Sequence, residues 1–101
     1  MIYSLFVPGT FDDVREMRVL EWHGDEGTRF DRGSLIVELE THKAVIEVRA
    51  DQPGVLRRRL LEEGGWCPLE STLAILSDDP DEPVPDPIEA LNPLPVRFAI
   101  A

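Results

Sequence analysis

The sequence holds a single lysine, Lys43, against nine arginines, a single cysteine, Cys67, and only two histidines, His23 and His42. One cysteine cannot close an internal disulfide, so the fold must rest on packing and hydrogen bonds, and a reducing compartment suits it. No apolar run approaches the roughly 20 residues that cross a bilayer as a helix, and the N-terminus lacks the basic and apolar stretches of a secretory leader. Positive charge is scarce: 20 Asp and Glu face 10 Lys and Arg, leaving a formal net charge of −10. Such a surface repels phosphate backbones and anionic lipid heads, which excludes nucleic acid and membranes as partners. With two histidines no Ser-His-Asp or Cys-His relay can be assembled. His23, His42 and Cys67 match no zinc-ligand spacing, so no metal site is expected. These absences describe a soluble, cytoplasmic protein that is not an enzyme.

At 101 residues, 43% of them hydrophobic, the chain suits one domain with a thin core. Short apolar runs broken by Gly, Pro and Asp predict an all-β sandwich or barrel. Ile2 to Val7, stopped by Pro8-Gly9, reads as a strand, as do Met17 to Trp22, Leu35 to Leu39 and Val45 to Val48. Val55 to Leu61 has helical propensity, but Pro53-Gly54 and Gly64-Gly65 leave too little room for a stable helix, so it reads as a strand too. Trp22 and Trp66 are expected in or half in the core, Cys67 in the core, and Arg57-Arg58-Arg59 on a charged strand face. A weak repeat lays Glu26 to Leu39 over Glu63 to Leu76 without a gap, matching Phe30 with Cys67, Ser34 with Ser71, Ile36 with Leu73 and Leu39 with Leu76. Two such halves can bury their apolar sides against each other. Residues 1–77 form the expected domain and 78–101 a tail. Asp78 to Pro87 is acidic and proline-rich, an extended linker. Beyond it Leu94, Val96, Phe98 and Ile100 alternate, which suits either a docked strand or a recognition segment.

The informative stretch is Leu35 to Ala50. If His42 and Lys43 form a tight turn, Thr41 faces Ala44, Leu39 faces Ile46, Val37 faces Val48 and Leu35 faces Ala50. Side chains alternate along strands, so these apolar residues share one face, while Glu38, Glu40, Glu47 and Arg49 take the other with Ile36 and Val45. A register slip of one residue would bury the charges, so core formation itself sets the turn. His-Lys is not the Asn-Gly of the usual hairpin turns, but a type I turn accepts both residues. At this tip alone the chain uses lysine, whose amine, unlike a guanidinium, can lose its proton and be acylated.

Glu40-Thr41-His42-Lys43-Ala44 resembles the Glu-Thr-Asp-Lys-Ala motif of lipoyl domains, found in the acyltransferase component of 2-oxo acid dehydrogenase complexes. Glu21-Trp22, Glu26-Gly27, Gly33-Ser34, Val45 to Ala50, Pro53-Gly54, Glu63-Gly64 and Leu73-Ala74-Ile75 extend the likeness over roughly Val7 to Ser77. The resemblance implies a flattened β-barrel, or barrel-sandwich hybrid, of two four-stranded antiparallel sheets with quasi-twofold symmetry. It implies lipoic acid in amide linkage on Lys43, presented by Glu40, Thr41, His42 and Ala44. The implied partners are a lipoate ligase or lipoyl transferase, a 2-oxo acid dehydrogenase and a dihydrolipoyl dehydrogenase-type enzyme. The domain would carry the cofactor and do no chemistry itself. Two positions depart from the family pattern: His42 stands where the motif has Asp, and Glu70 where a turn glycine is common. Biotin carriers share the fold but flank their lysine with methionines, which Lys43 lacks, so biotin is the alternative cofactor. A third reading is an unmodified barrel-sandwich module with a structural or docking role.

Overall fold

A computed structural model describes residues 1–7, 16–84 and 92–100; the Pro8-Gly9 stop and the later part of the proline-rich linker lie outside them. The described chain folds into strands β1 (Ile2–Phe6), β2 (Glu16–Trp22), β3 (Arg29–Phe30), β4 (Leu35–Glu40), β5 (Val45–Ala50), β6 (Gly54–Arg59), β7 (Trp66–Pro68), β8 (Thr72–Ser77), β9 (Asn92–Pro93) and β10 (Val96–Ile100). None of it is helical. The expected Val55–Leu61 strand is found as β6, which ends at Arg59; it pairs on both sides, with β3 and β8, a gain that outweighs its helical propensity.

The strands form two sheets, ordered β3-β6-β8-β1-β9 and β10-β5-β4-β2-β7. Without β9 and β10 these are two four-stranded antiparallel sheets, the expected barrel-sandwich. The tail then adds a fifth strand to each. The short β9 runs parallel to β1, and β10 pairs antiparallel along β5 from Val96 opposite Ala50 to Ile100 opposite Ile46. The inner faces supply the core, where Leu5, Met17, Val19, Leu39, Val48, Leu56, Leu73 and Leu76 are buried.

The internal repeat is physical. The offset between Glu26 and Glu63 carries β2, β3 and β4 onto β6, β7 and β8, while β1 takes beside β8 the place that β5 takes beside β4. The offset also relates the β-bulges. The β2–β4 pairing shifts register between Val19 and Glu21 and the β6–β8 pairing between Leu56 and Arg58. The Glu-Gly start of each half has matching work. Glu63 accepts a hydrogen bond from the Trp22 N–H at 3.0 Å and Glu26 one from the Arg59 N–H at 3.0 Å. The Gly27 N–H donates to the Leu56 carbonyl at 2.7 Å, and the Gly64 N–H to the Val19 carbonyl at 2.7 Å. Each half therefore ties its glycine turn to the other half's long strand, closing backbone groups that would otherwise cost free energy when buried.

The same offset pairs Gly33 with Glu70. Gly33 has φ 90° and Glu70 φ 63°, the one described non-glycine residue in the left-handed region. Both donate their N–H to the neighbouring strand's chain in the same sheet, Gly33 to Ala50 and Glu70 to Val7, at 2.7 Å each. A side chain in that conformation costs about 1 kcal/mol or more, whereas glycine adopts it freely. Glu70→Gly is therefore expected to raise the urea midpoint, by about 0.5–1 kcal/mol of stability after the added freedom of the unfolded chain is deducted. A lower midpoint would contradict this reading of the turn.

Candidate functional site

The β4–β5 hairpin pairs Glu40 with Val45, Leu39 with Ile46, Glu38 with Glu47 and Val37 with Val48, the register expected near the tip. Further from the tip the expectation fails. A bulge between Leu35 and Val37 sets Leu35 opposite Arg49 rather than Ala50. The extra residue restarts the alternation, so Ile36 is fully buried and Leu35 only half-buried. The cause is the fold's symmetry: the β1–β8 pairing has its bulge at the equivalent place, between Leu5 and Phe6.

At the tip the backbone turns over His42 and Lys43, both exposed and neither at positive φ, as a type I-like turn requires. Thr41 holds it. Its N–H donates to the Ala44 carbonyl at 2.8 Å. Its Oγ1 accepts from the Lys43 N–H at 3.1 Å and the Ala44 N–H at 3.0 Å, and lies 3.1 Å from the Ala44 carbonyl as donor. The hydroxyl thus takes the part of the backbone carbonyl that would close an ordinary turn. Glu40 and Ala44 are half-buried on either side. The result is a primary amine on a four-carbon stem at the end of a rigid two-stranded arm, a geometry suited to enzymatic acylation. Thr41→Val keeps the shape and removes the hydroxyl. It should cost about 1–2 kcal/mol and speed hydrogen exchange at the Lys43 and Ala44 amides; unchanged exchange would show that the hydroxyl does not order the turn.

Other expected residues divide. Trp22 is buried and donates its Nε1–H to the Leu61 carbonyl at 2.9 Å. Trp66 is instead 55% exposed, with the Arg18 guanidinium 4.7 Å above its ring, because β7 is an edge strand. Cys67 is buried and free. Burial pushes its thiol up, which the Ser71 hydroxyl at 3.1 Å only partly offsets, so it is an inert packing residue. Arg58 is exposed, but Arg57 reaches Ser77 Oγ at 3.0 Å and the carbonyls of Asp79 and Glu82, pinning the start of the tail.

One grouping escaped the sequence. His23 lies beside Glu21 and Glu38, not in a group with His42 and Cys67. Its Nε2 is 2.6 Å from Glu38 Oε1. Glu21-x-His23, the end of β2 and the residue just past it, is a visible signal. The third member needs the β2–β4 register, which sets Glu38 opposite Glu21.

Residues 5–76 match the biotin/lipoyl family described as "Biotin-requiring enzyme"; β9 and β10 lie beyond the match. The chloroplastic dihydrolipoyllysine-residue acetyltransferase component 5 of the pyruvate dehydrogenase complex of Arabidopsis thaliana is 31% identical over 81 residues, 80% of this chain and 17% of that protein. The dihydrolipoyllysine-residue succinyltransferase component of the 2-oxoglutarate dehydrogenase complex of Staphylococcus saprophyticus is 33% identical over 72 residues, 71% of this chain and 17% of its own length. The acetyltransferase component from Rickettsia prowazekii is 28% identical over 83 residues, 81% of this chain and 20% of its length. The chain thus spans a fifth or less of the length of these relatives. One relative is named chloroplastic and another, from Chaetomium thermophilum, mitochondrial, and no described helix is long and apolar enough to cross a membrane. With matching sequence over most of the chain and the matching all-β sandwich, the protein belongs to the biotin/lipoyl attachment family and is a carrier domain whose relatives are of the lipoyl type.

Proposed function

We propose that Lys43 carries lipoic acid in amide linkage and that the chain serves a 2-oxo acid dehydrogenase-type system as its mobile acyl carrier. The observation behind this reading is the coincidence of the chain's one lysine with the exposed tip of the β4–β5 hairpin, inside Glu40-Thr41-His42-Lys43-Ala44. The bound group supplies the acyl-carrying and redox chemistry. The protein's own contribution is positional. Paired β4 and β5 hold the arm's base, Thr41 fixes the turn, and the exposed amine meets the modifying enzyme without local unfolding.

The partners are a lipoate ligase or lipoyl transferase that recognises the turn, then a 2-oxo acid dehydrogenase and a dihydrolipoyl dehydrogenase-type enzyme. A cytoplasmic setting is part of the same reading, supported by the lone unpaired Cys67. Lipoate is favoured over biotin because neither neighbour of Lys43 is methionine and because the similar proteins are named for dihydrolipoyllysine. The test is parallel modification: the purified chain with ATP, lipoate and a lipoate ligase, and separately with ATP, biotin and a biotin ligase. One lipoyl mass increment and no biotinyl increment is expected. Biotinylation alone would replace the lipoyl assignment, and modification by neither would leave the unmodified-module reading in its place.

A further inference from the structure

We propose that Glu21, His23 and Glu38 form a surface binding site for a zinc-class divalent transition metal, on the outer face of the sheet that carries the hairpin. One imidazole nitrogen and two carboxylate oxygens, one from each residue, lie within 4.8 Å of one another. Zinc takes nitrogen and carboxylate ligands at about 2.0–2.2 Å in a tetrahedral set, so small rotations that part the 2.6 Å His23–Glu38 contact would seat the ion between the three. Water would complete the coordination. The backbone is already fixed: His23 donates its N–H to the Ile36 carbonyl at 2.9 Å, and Glu21 and Glu38 are directly opposed in the β2–β4 ladder.

Two further observations single the group out from ordinary surface acids. First, the pairing is electrostatically unfavourable as it stands. Glu38 faces Glu21 on one side and Glu47 on the other, and directly opposed like charges destabilise a sheet. Arg49 pairs with Glu47 at 3.4 Å, but among the described residues no arginine pairs with Glu21 or Glu38. Second, the fold does not require these side chains. Under the offset relating the halves, their equivalents are Arg58, Leu60 and Ile75, so the same backbone positions are built without carboxylates or imidazole. A bound cation would supply the charge that the row lacks. The mixed imidazole–carboxylate set favours zinc, nickel or copper over magnesium or calcium, which prefer shells of oxygen.

The test is calorimetric titration of chelator-treated, tag-free full-length protein with zinc chloride, followed in parallel by amide NMR spectra. One saturable site is expected, with shifts centred on residues 21–23 and 36–38 and little change when magnesium chloride is the titrant. His23→Gln should weaken zinc binding by at least about 100-fold, since loss even of outer-shell partners costs about 10–100-fold. The exposed Glu21→Gln, whose fold is safe, should weaken it at least about tenfold. No saturable zinc binding, or binding that survives either substitution unchanged, overturns the proposal. So does loss of binding in His42→Gln with retention in His23→Gln, which would move the metal to the hairpin tip.

Discussion

Ile36→Ala is expected to lower the unfolding free energy by about 2–4 kcal/mol, the range for truncating a fully buried aliphatic side chain. Strict alternation along β4 would point Ile36 outward with Glu38 and Glu40, and an outward isoleucine would change stability by no more than about 0.5 kcal/mol. The bulge between Leu35 and Val37 decides between these outcomes, because it turns Ile36 into the core, where it is fully buried. Urea unfolding measures the difference, with Leu35→Ala, at a half-buried position, as the milder comparison. Equal costs for the two would mean that the bulge is absent in solution.

Ending the chain at residue 84 should destabilise the domain severely, and Leu94→Ala should reproduce much of the loss. Leu94 is 3% exposed and belongs to the core, and its N–H donates to the Ser4 carbonyl at 2.8 Å. Val96 and Phe98 pack against the same core, and Arg97 binds Asp51 at 3.1 Å. Removing the leucine side chain alone is worth about 2–4 kcal/mol, which for a domain this size is roughly 10–20 °C in Tm. Truncation adds a second fault: it opens the edge of β5, whose unpaired N–H and C=O groups invite association between copies. Thermal circular dichroism and light scattering read both effects. A truncated chain that melts within a degree or two of the full one, as a monomer, would show that β10 contributes nothing to the fold.

A sequence exposes some levels of structure and hides others. The strands, the turn and the repeat were legible because they depend on local patterning: period-two alternation, Gly and Pro punctuation, and one lysine among arginines. The Glu26 and Glu63 caps were visible as a motif but not as contacts, since each crosses to the opposite half. Ile36 was misplaced because a bulge is a property of paired strands, not of one. Trp66 was misplaced because nothing local marks β7 as an edge strand. The alternating tail segment left open a docked strand or a free segment, and only the unfilled edge beside β5 resolves it. Glu38 joins Glu21 and His23 through sheet register, again a non-local fact. The symmetry of the two halves recovers much of this, because the bulge in β4 could have been inferred from its counterpart in β8 once either was known.

If the lone lysine at the hairpin tip is where the cofactor is attached, modification depends on that one amine. Intact-mass spectrometry of wild-type and Lys43→Arg proteins, each co-expressed with a lipoate ligase in lipoate-supplemented medium, tests it directly. Lys43→Arg retains the positive charge and the exposed position, so folding should be unchanged by circular dichroism. A single lipoyl increment is expected on the wild type and none on the variant. An increment that persists in Lys43→Arg, or a fully folded wild type that stays unmodified beside a control domain modified in the same cells, would contradict attachment at Lys43.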